Sequence, residues 1–290
     1  MDTIYIVGTT GSGKTKLALH LAELRESVII SADSRQVYKG MDIVTGKDHP
    51  HNIKIHGIDL VNPIDECSVS VWYEHVAPVI KNAHDAGHQV IVVGGTGFYV
   101  RALTHGIETM SVPINPDLRS QLETLGVSEL QEMLKSLDPD RFVRFNHSDQ
   151  NNPRRLTRAI EVAKSNFNVS QNSAPNTQTM IALYYEDQNL QEQKIRERVV
   201  SRLAQGAVTE TQNLLSQVEP EAASLSALGY HEIIRFINGE INEEQLVDEW
   251  VSAELKYAKR QLTFFRKQNV VWYDRGRMSI EEIYEQYLSR

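Results

Sequence analysis

A single cysteine, Cys67, stands in 290 residues, so the chain can form neither an internal disulfide nor a cysteine-rich zinc site. Its thiol reads as a small, half-buried apolar group. His49, His51 and His56 have no cysteine near them and read as non-metal. No run approaches ~20 uninterrupted apolar residues, which leaves no helical membrane span. Met1-Asp2 leads straight into a strand pattern, with no room for a signal peptide. These absences point to the cytoplasm. The length fits one large domain, or one with an inserted lobe, and no internal repeat is present.

Positive charge is short as well: Lys and Arg number 30 against 38 Asp and Glu, a net of −8. That balance argues against a general nucleic-acid binder. The distribution is uneven, however. Residues 141–164 carry a net +4 and residues 254–277 a net +5, leaving −17 on the rest. Two basic islands on an acidic body fit a localised polyanion site, and they also fit solvated helix faces.

What is present centres on Gly8-Thr9-Thr10-Gly11-Ser12-Gly13-Lys14-Thr15, which satisfies the phosphate-loop pattern G-x-x-x-x-G-K-[ST] in full. A strand pattern precedes it at residues 3–7, and a helical one follows from residue 16. In that setting backbone N–H groups converge on phosphate oxygens, and the helix N-terminus adds partial positive charge. Lys14 is placed to reach the outer phosphate, and the Thr15 hydroxyl to hold Mg²⁺. The loop implies a phosphoanhydride with magnesium without saying which one.

Further strands are expected at residues 27–31, 89–93, 179–184 and 270–273, and weakly at 53–61. Helices are expected at 72–86, 98–103, 194–215, 246–265 and 279–288. The alternation predicts an α/β fold: a P-loop NTPase-like parallel sheet flanked by helices. From residue 113 to 175 the strand signal vanishes, and helices are read at 116–125, 128–137 and 152–164. The chain thus divides into a core of residues 1–112 and 177–290 and an inserted all-helical lobe of residues 113–176. Residues 166–179, rich in Asn, Ser and Gln, read as a linker. Ligands of such sheets bind outside the carboxyl ends of the strands, where the phosphate loop, Asp33 and Thr96 all fall.

Asp33 can accept a proton or hold Mg²⁺ through water beside a phosphate, or it can cap the turn that follows. Gly94-Gly95-Thr96-Gly97 supplies donors near a substrate, or needs its glycines for a tight turn; Thr96 carries the only hydroxyl there. In the helix from Asn152, a buried stripe of Leu156, Ala159, Ile160 and Ala163 puts Arg154 and Arg158 on the opposite face and Arg155 to one side. Arg154 and Arg155 in the first turn oppose the helix dipole by ~0.3–1 kcal/mol each. Their placement suits an anionic partner such as a phosphate backbone. Lys259-Arg260-Gln261 and Arg266-Lys267 bracket Leu262, Phe264 and Phe265, a pattern open to RNA binding or to a core helix with a basic face.

Six stretches in one order give these residues a family likeness. They are the phosphate loop, residues 31–43 around Ala32-Asp33-Ser34-Arg35-Gln36, Gly94-Gly95-Thr96-Gly97-Phe98-Tyr99, Arg154-Arg155-Leu156-Thr157-Arg158, Ala227-Leu228-Gly229-Tyr230 and Tyr257-Ala258-Lys259-Arg260-Gln261. Over nearly its whole length the sequence resembles the tRNA dimethylallyltransferases (tRNA isopentenyltransferases). The resemblance implies transfer of a dimethylallyl group to N6 of the adenosine 3′ of the anticodon. The diphosphate of dimethylallyl diphosphate would take a nucleotide's place in the loop, with Arg198 nearby. Asp33 would be the general base, Thr96 would orient the amine, and Lys14 with Mg²⁺ would stabilise the departing diphosphate. The anticodon stem-loop would meet Asp33, Ser34, Arg35, Gln36, Thr96, Arg119, Arg154, Arg155, Leu156, Thr157, Arg158, Gly229, Tyr230, Lys259, Arg260 and Arg266. Departures from the family pattern are Thr9 in place of Pro, Ile43 to Lys47, the single histidine His56 of a usual pair, and Glu254-Leu255 in place of Thr-Arg. Rival readings are prenylation of a free adenine nucleotide, a small-molecule kinase and a non-catalytic nucleotide- or RNA-binding module. Monomer is the default.

Overall fold

The apolar runs of the sequence assemble into one parallel sheet. The computed structural model describes residues 3–50, 52–107, 109–110, 112–165, 180–220 and 222–289. The chain begins with β1 (Thr3–Gly8), α1 (Lys14–Ala22), β2 (Ser27–Ser31), β3 (Ile55–His56), α2 (Val69–Asp85), β4 (Gln89–Val93) and α3 (Gly97–Thr104). Five helices follow: α4 (Pro116–Glu123), α5 (Val127–Leu137), α6 (Pro139–Arg144), α7 (His147–Gln150) and α8 (Pro153–Lys164). The chain then returns through β5 (Met180–Tyr184), α9 (Gln188–Ala204), α10 (Ala207–Leu215), α11 (Tyr230–Ile237), α12 (Glu243–Phe265), β6 (Val271–Asp274) and α13 (Ile280–Leu288). The strand order is β3-β2-β4-β1-β5-β6, with every pairing parallel.

Because successive strand residues point to opposite faces, the sheet builds two cores. Tyr5, Val7, Ile30, Val90, Val92 and Ala182 join Trp72, Trp250 and Phe265 on one side. Ile4, Ile6, Ile29, Ile91, Ile181 and Leu183 join Leu17, Leu21, Ile280 and Ile283 on the other. Helices on both faces explain why the strands read as continuous apolar runs.

Met1–Thr104 with Pro175–Arg290 forms one compact unit, and His105–Ala174 a second. The division falls after Thr104, eight residues before the boundary expected from the loss of strand signal. The second unit has its own core of Leu122, Leu130, Leu134, Leu156, Ala159 and Ile160.

Several elements differ from the expectation. The weak strand at 53–61 shrinks to β3, because Gly57 at φ +83° turns the chain away and lies so close to the Ser31 carbonyl that a Cβ would overlap it. The helix expected at 194–215 is two helices, broken by Gly206 at φ +103°. The short helices α6 and α7 start from side-chain caps, Asp138 and Asn146, that the apolar periodicity does not reveal. The linker expected at 166–179 lies outside the described residues.

Candidate active site

Three adjacent strands, β2, β4 and β1, end side by side, and each is followed by a chemically distinctive turn. After β1 the phosphate loop wraps the start of α1. The Ser12 hydroxyl donates to the Thr9 carbonyl at 2.8 Å, and Lys14 Nζ turns back onto the same oxygen at 2.7 Å. On the open side of the loop, Arg198 from α9 donates to the Thr10 hydroxyl at 2.9 Å. Arg275, which follows β6, donates to the Ser12 carbonyl at 3.2 Å. The loop therefore collects cations from both flanks.

Burial lowers the Lys14 ammonium to about 8, and the like charge of Arg198 adds to it against the opposing pull of Asp33 and Glu254. Below that pH the lysine is charged; above it the cradle loses a positive charge. Inorganic diphosphate is therefore expected to bind more weakly above pH 8, by up to about tenfold per pH unit. Calorimetric titration from neutral to alkaline pH checks this. A pH profile equal to that of Lys14→Met would remove Lys14 from the role.

After β2, the Asp33 carboxylate accepts the Arg35 N–H at 2.9 Å, closing a local turn. After β4, the Thr96 hydroxyl accepts the Ser34 N–H at 3.0 Å and lies 3.3 Å from the Ser34 hydroxyl. The two strand ends are tied through backbone as well: Ala32 N–H reaches the Val93 carbonyl at 2.7 Å, and Thr96 N–H the Ala32 carbonyl at 3.1 Å. That close approach is what the glycines serve. A Cβ on Gly94 would lie 2.2 Å from the Ala32 carbonyl oxygen, and one on Gly95 would lie 1.9 Å from the Gln261 amide. The tight-turn need for glycine is thus met at Gly94 and Gly95.

Sequence reasoning missed two residues here, Tyr257 and Gln261, both on α12. The buried Gln261 side chain accepts the Thr10 N–H at 2.8 Å and donates to the Gly95 carbonyl at 3.1 Å. The Tyr257 hydroxyl lies 3.5 Å from the same carbonyl. Burial, assisted by the charge of Asp33, pushes its phenol up to about 12, so it stays protonated near neutrality. With Phe264, these residues repeat at i, i+4 and i+7 and form one face of α12 against the 94–97 turn. The repeat was visible in the sequence; the surface it meets was not. Lys256, Lys259 and Arg260 on α12, and Arg266 and Lys267 just past its end, are exposed, with the Arg260 guanidinium over the Tyr257 ring at 5.5 Å.

Beneath this site lies a buried pair. Arg202 Nη1 and Glu254 Oε1 are 3.2 Å apart, each residue at most 6% exposed. Burial, with the neighbouring charge of Arg198, lowers the Arg202 guanidinium to about 10. Glu254, a departure from the family pattern, is therefore the counter-ion of an internal arginine.

Several residues expected to face tRNA are held by the protein itself. Tyr230 is fully buried, and its hydroxyl donates to Glu210 at 2.7 Å; Glu210 also accepts the N–H groups of Asp42, Ile43 and Val44. Gly229, at φ +102°, packs so close to Trp250 that a Cβ would overlap the indole. Leu156 is core. Arg35 donates to the Ser226 hydroxyl at 3.0 Å. Gln36 accepts from Ser31 at 2.8 Å and donates to the Gly46 carbonyl at 3.1 Å.

Within the helical unit, Arg119 grips the buried Glu161 carboxylate with two bonds of 2.8 and 2.9 Å. Arg158 adds a third at 2.9 Å and caps the Thr109 and Val112 carbonyls at 2.7 Å each. Burial works to raise the Glu161 carboxyl, but Arg119, the Asn115 amide and Arg158 outweigh it and hold it below its ordinary value. Arg158 thus does not lie free on the face opposite the core, as periodicity alone implied. Arg155 pairs with Asp149. Arg154 is exposed and makes no ion pair among the described residues.

Of the histidines read as non-metal, His49 has carboxylate neighbours. The His49 ring lies with the Asp42 and Asp59 carboxylates, a grouping able to hold a cation. Lys47 Nζ already serves there, 2.7 Å from Asp42 and 2.5 Å from Asp59.

A parallel sheet with a complete phosphate loop at the end of its central strand makes this an α/β protein of the P-loop type. The family model described as IPP transferase matches residues 36–268, and the chain belongs to that family. Among curated relatives, the tRNA dimethylallyltransferase of an Exiguobacterium species is 35% identical, covering 97% of this chain and 93% of its own. That of Caldanaerobacter subterraneus is 33% identical, covering 94% and 91%. The crystal structure of the tRNA isopentenylpyrophosphate transferase of Bacillus halodurans is similar at TM-score 0.72 and 31% identity, covering 99% of this chain and 96% of that one. A eukaryotic dimethylallyltransferase described as acting on tRNA is similar at TM-score 0.80 and 25% identity, covering 94% of this chain and 73% of that one. Among the described residues no helix is long and apolar enough to cross a membrane.

Proposed function

We propose that this protein transfers the dimethylallyl group of dimethylallyl diphosphate to N6 of the adenosine 3′ of the anticodon in tRNA, releasing diphosphate. The observation that carries the reading is the bonding of the Asp33 and Thr96 turns to each other at strand ends beside the phosphate loop. The diphosphate occupies the cradle of residues 8–15, with Lys14 and Arg198 opposing its charge in place of a nucleotide's. As the allylic C–O bond breaks, negative charge grows on the departing oxygen, where preorganised cations are most effective. The exocyclic amine is a poor nucleophile because its lone pair is delocalised into the ring. Asp33 takes its proton as N6 bonds to the allylic carbon, and Thr96 orients the amine. The adenine leaves the loop stack to reach them.

Mg²⁺ fits the loop. Thr15 is the second residue of α1, its hydroxyl makes no side-chain hydrogen bond among the described residues, and a hard oxygen beside diphosphate oxygens is the donor set this ion takes. Bound there, it would neutralise charge on the diphosphate. We assign the protein to the cytoplasm and to a monomeric state. The direct test is incubation with unmodified tRNA, dimethylallyl diphosphate and Mg²⁺, followed by mass spectrometry of the nucleosides. Prenylated adenosine supports the reading; ATP hydrolysis without it would favour a kinase.

Two arginines of α8, Arg154 and Arg158, separate in this reading. Arg154→Ala is expected to weaken tRNA binding and to reduce the salt slope by about one, with diphosphate affinity unchanged. Arg158→Ala releases two carbonyls and part of the Glu161 counter-charge, so its main effect is expected on thermal stability. Filter binding across a salt series and thermal melts of both variants test the distinction; an unaltered slope for Arg154→Ala would overturn its part.

A further inference from the structure

We infer that Gln261 is a positioning residue that fixes the alignment of the two substrates, and thereby commits the allylic carbon to the adenine amine rather than to water. The inference rests on the prenyl-transfer reading above.

Among the described residues, its carboxamide is the one side chain that bonds both the phosphate loop and the turn bearing Thr96. The geometry uses both ends of the amide. The oxygen takes the Thr10 N–H, and the nitrogen gives to the Gly95 carbonyl, next to the residue proposed to orient the amine. A carboxylate in its place could accept from Thr10 but would face the Gly95 carbonyl with nothing to donate. A shorter amide could not span the gap. Gly95 itself is matched to this contact, since a Cβ there would lie 1.9 Å from the Gln261 nitrogen.

Thr10 is gripped a second time, its hydroxyl by Arg198. Arg198 and Gln261 therefore hold one loop residue from two helices. A peptide N–H committed to Gln261 is not aimed at phosphate, so the carboxamide positions the loop rather than binding its anion. Burial makes the bonds consequential: Gln261 is 4% exposed, and breaking them strands a donor and an acceptor without water.

The consequence lies in how the intermediate charge is used. When the C–O bond of the allylic diphosphate breaks, the electron pair leaves with the diphosphate and the carbon takes a new pair. That pair comes from N6, whose proton passes to Asp33, or from a water molecule, giving dimethylallyl alcohol and a proton. Nucleophile and carbon must stand ~3–3.5 Å apart, and a displacement of ~1 Å costs about 10²-fold. Loosening the bridge is expected to slow transfer to N6 while leaving ionisation of the diphosphate much less affected.

The test measures alcohol and prenylated adenosine together, from isotopically labelled dimethylallyl diphosphate and tRNA, for the parent, Gln261→Leu and Gln261→Glu. Both variants are expected to raise the alcohol-to-adenosine ratio by about tenfold or more. kcat for transfer should fall while KM for each substrate changes little. A role confined to stability would lower the melting temperature without moving the ratio. If Gln261→Leu fails to fold, Gln261→Glu, with the same size and a polar head, decides. A parental ratio in the folded variant overturns the proposal. A parent enzyme that yields neither product would instead overturn the prenyl-transfer reading.

Discussion

Asp33→Asn is expected to lower kcat for adenosine prenylation by about 10²–10⁴-fold while diphosphate affinity at neutral pH changes little. The substitution is chosen to leave the turn intact. An asparagine carbonyl can accept the Arg35 N–H as the carboxylate does at 2.9 Å, and its size is unchanged. What it cannot do is take a proton. Asp33 also opposes the lowering of the Lys14 ammonium by burial and Arg198. Its neutralisation should therefore move the alkaline limit of diphosphate binding slightly downward, because a stabilising negative charge is gone. Single-turnover transfer rates with saturating tRNA, read beside calorimetric diphosphate affinity, separate the two effects. A variant that prenylates at the parental rate would mean that another group accepts the proton.

Glu254→Leu is expected to cost about 3–5 kcal/mol of stability, the usual penalty for leaving one partner of a buried pair alone. The arginine left behind has little access to water, for Arg202 is 5% exposed. It packs over the Trp250 ring at 5.9 Å and sits beneath Gly46, where a Cβ would collide with its guanidinium. The loop after β2 therefore has little room to let the charge escape. Removing both charges, in Arg202→Met with Glu254→Leu, should recover most of the loss, because the cost lies in the unmatched ion rather than in the missing attraction. Thermal and urea unfolding of the parent, the single and the double variant form the test. A single variant as stable as the parent would mean that the pair contributes nothing net.

The legible parts of this molecule are those specified locally. Val90 to Val93 and Ile4 to Val7 read as strands because parallel strands are buried on both faces. Gly8 to Thr15 reads as a phosphate loop because every residue of the pattern is contiguous. Asp33 and Thr96 could be placed at strand ends from position alone. Gly206, in contrast, looked like a tolerable residue within one long helix, and only its left-handed backbone reveals the break. α11 carries its own signal in Tyr230, Ile233 and Ile237, but at eight residues the stripe is too short to stand out from the loop before it. Arg119 and Arg158 show the same limit. Arg158 sits in a basic island and Arg119 outside one, and for both the sequence displays the charge without the buried Glu161 that it grips. Gln261 and Arg202 depend on partners 251 and 52 residues away, pairings that no window along the chain can display.

The position of β1 in the sheet bears on synthesis. Its neighbours are β4, close behind it in the chain, and β5, which follows only after the whole helical insertion. Four strands, β3, β2, β4 and β1, can thus pair from the first third of the chain, while β5 and β6 emerge late from the ribosome. The phosphate loop is made directly after β1, whereas the groups that brace it, Arg198, Gln261 and Arg275, all arrive after β5. A nascent chain carries the whole motif long before it carries a finished cradle. The braced form of the loop is therefore complete only once α9, α12 and β6 have all been made.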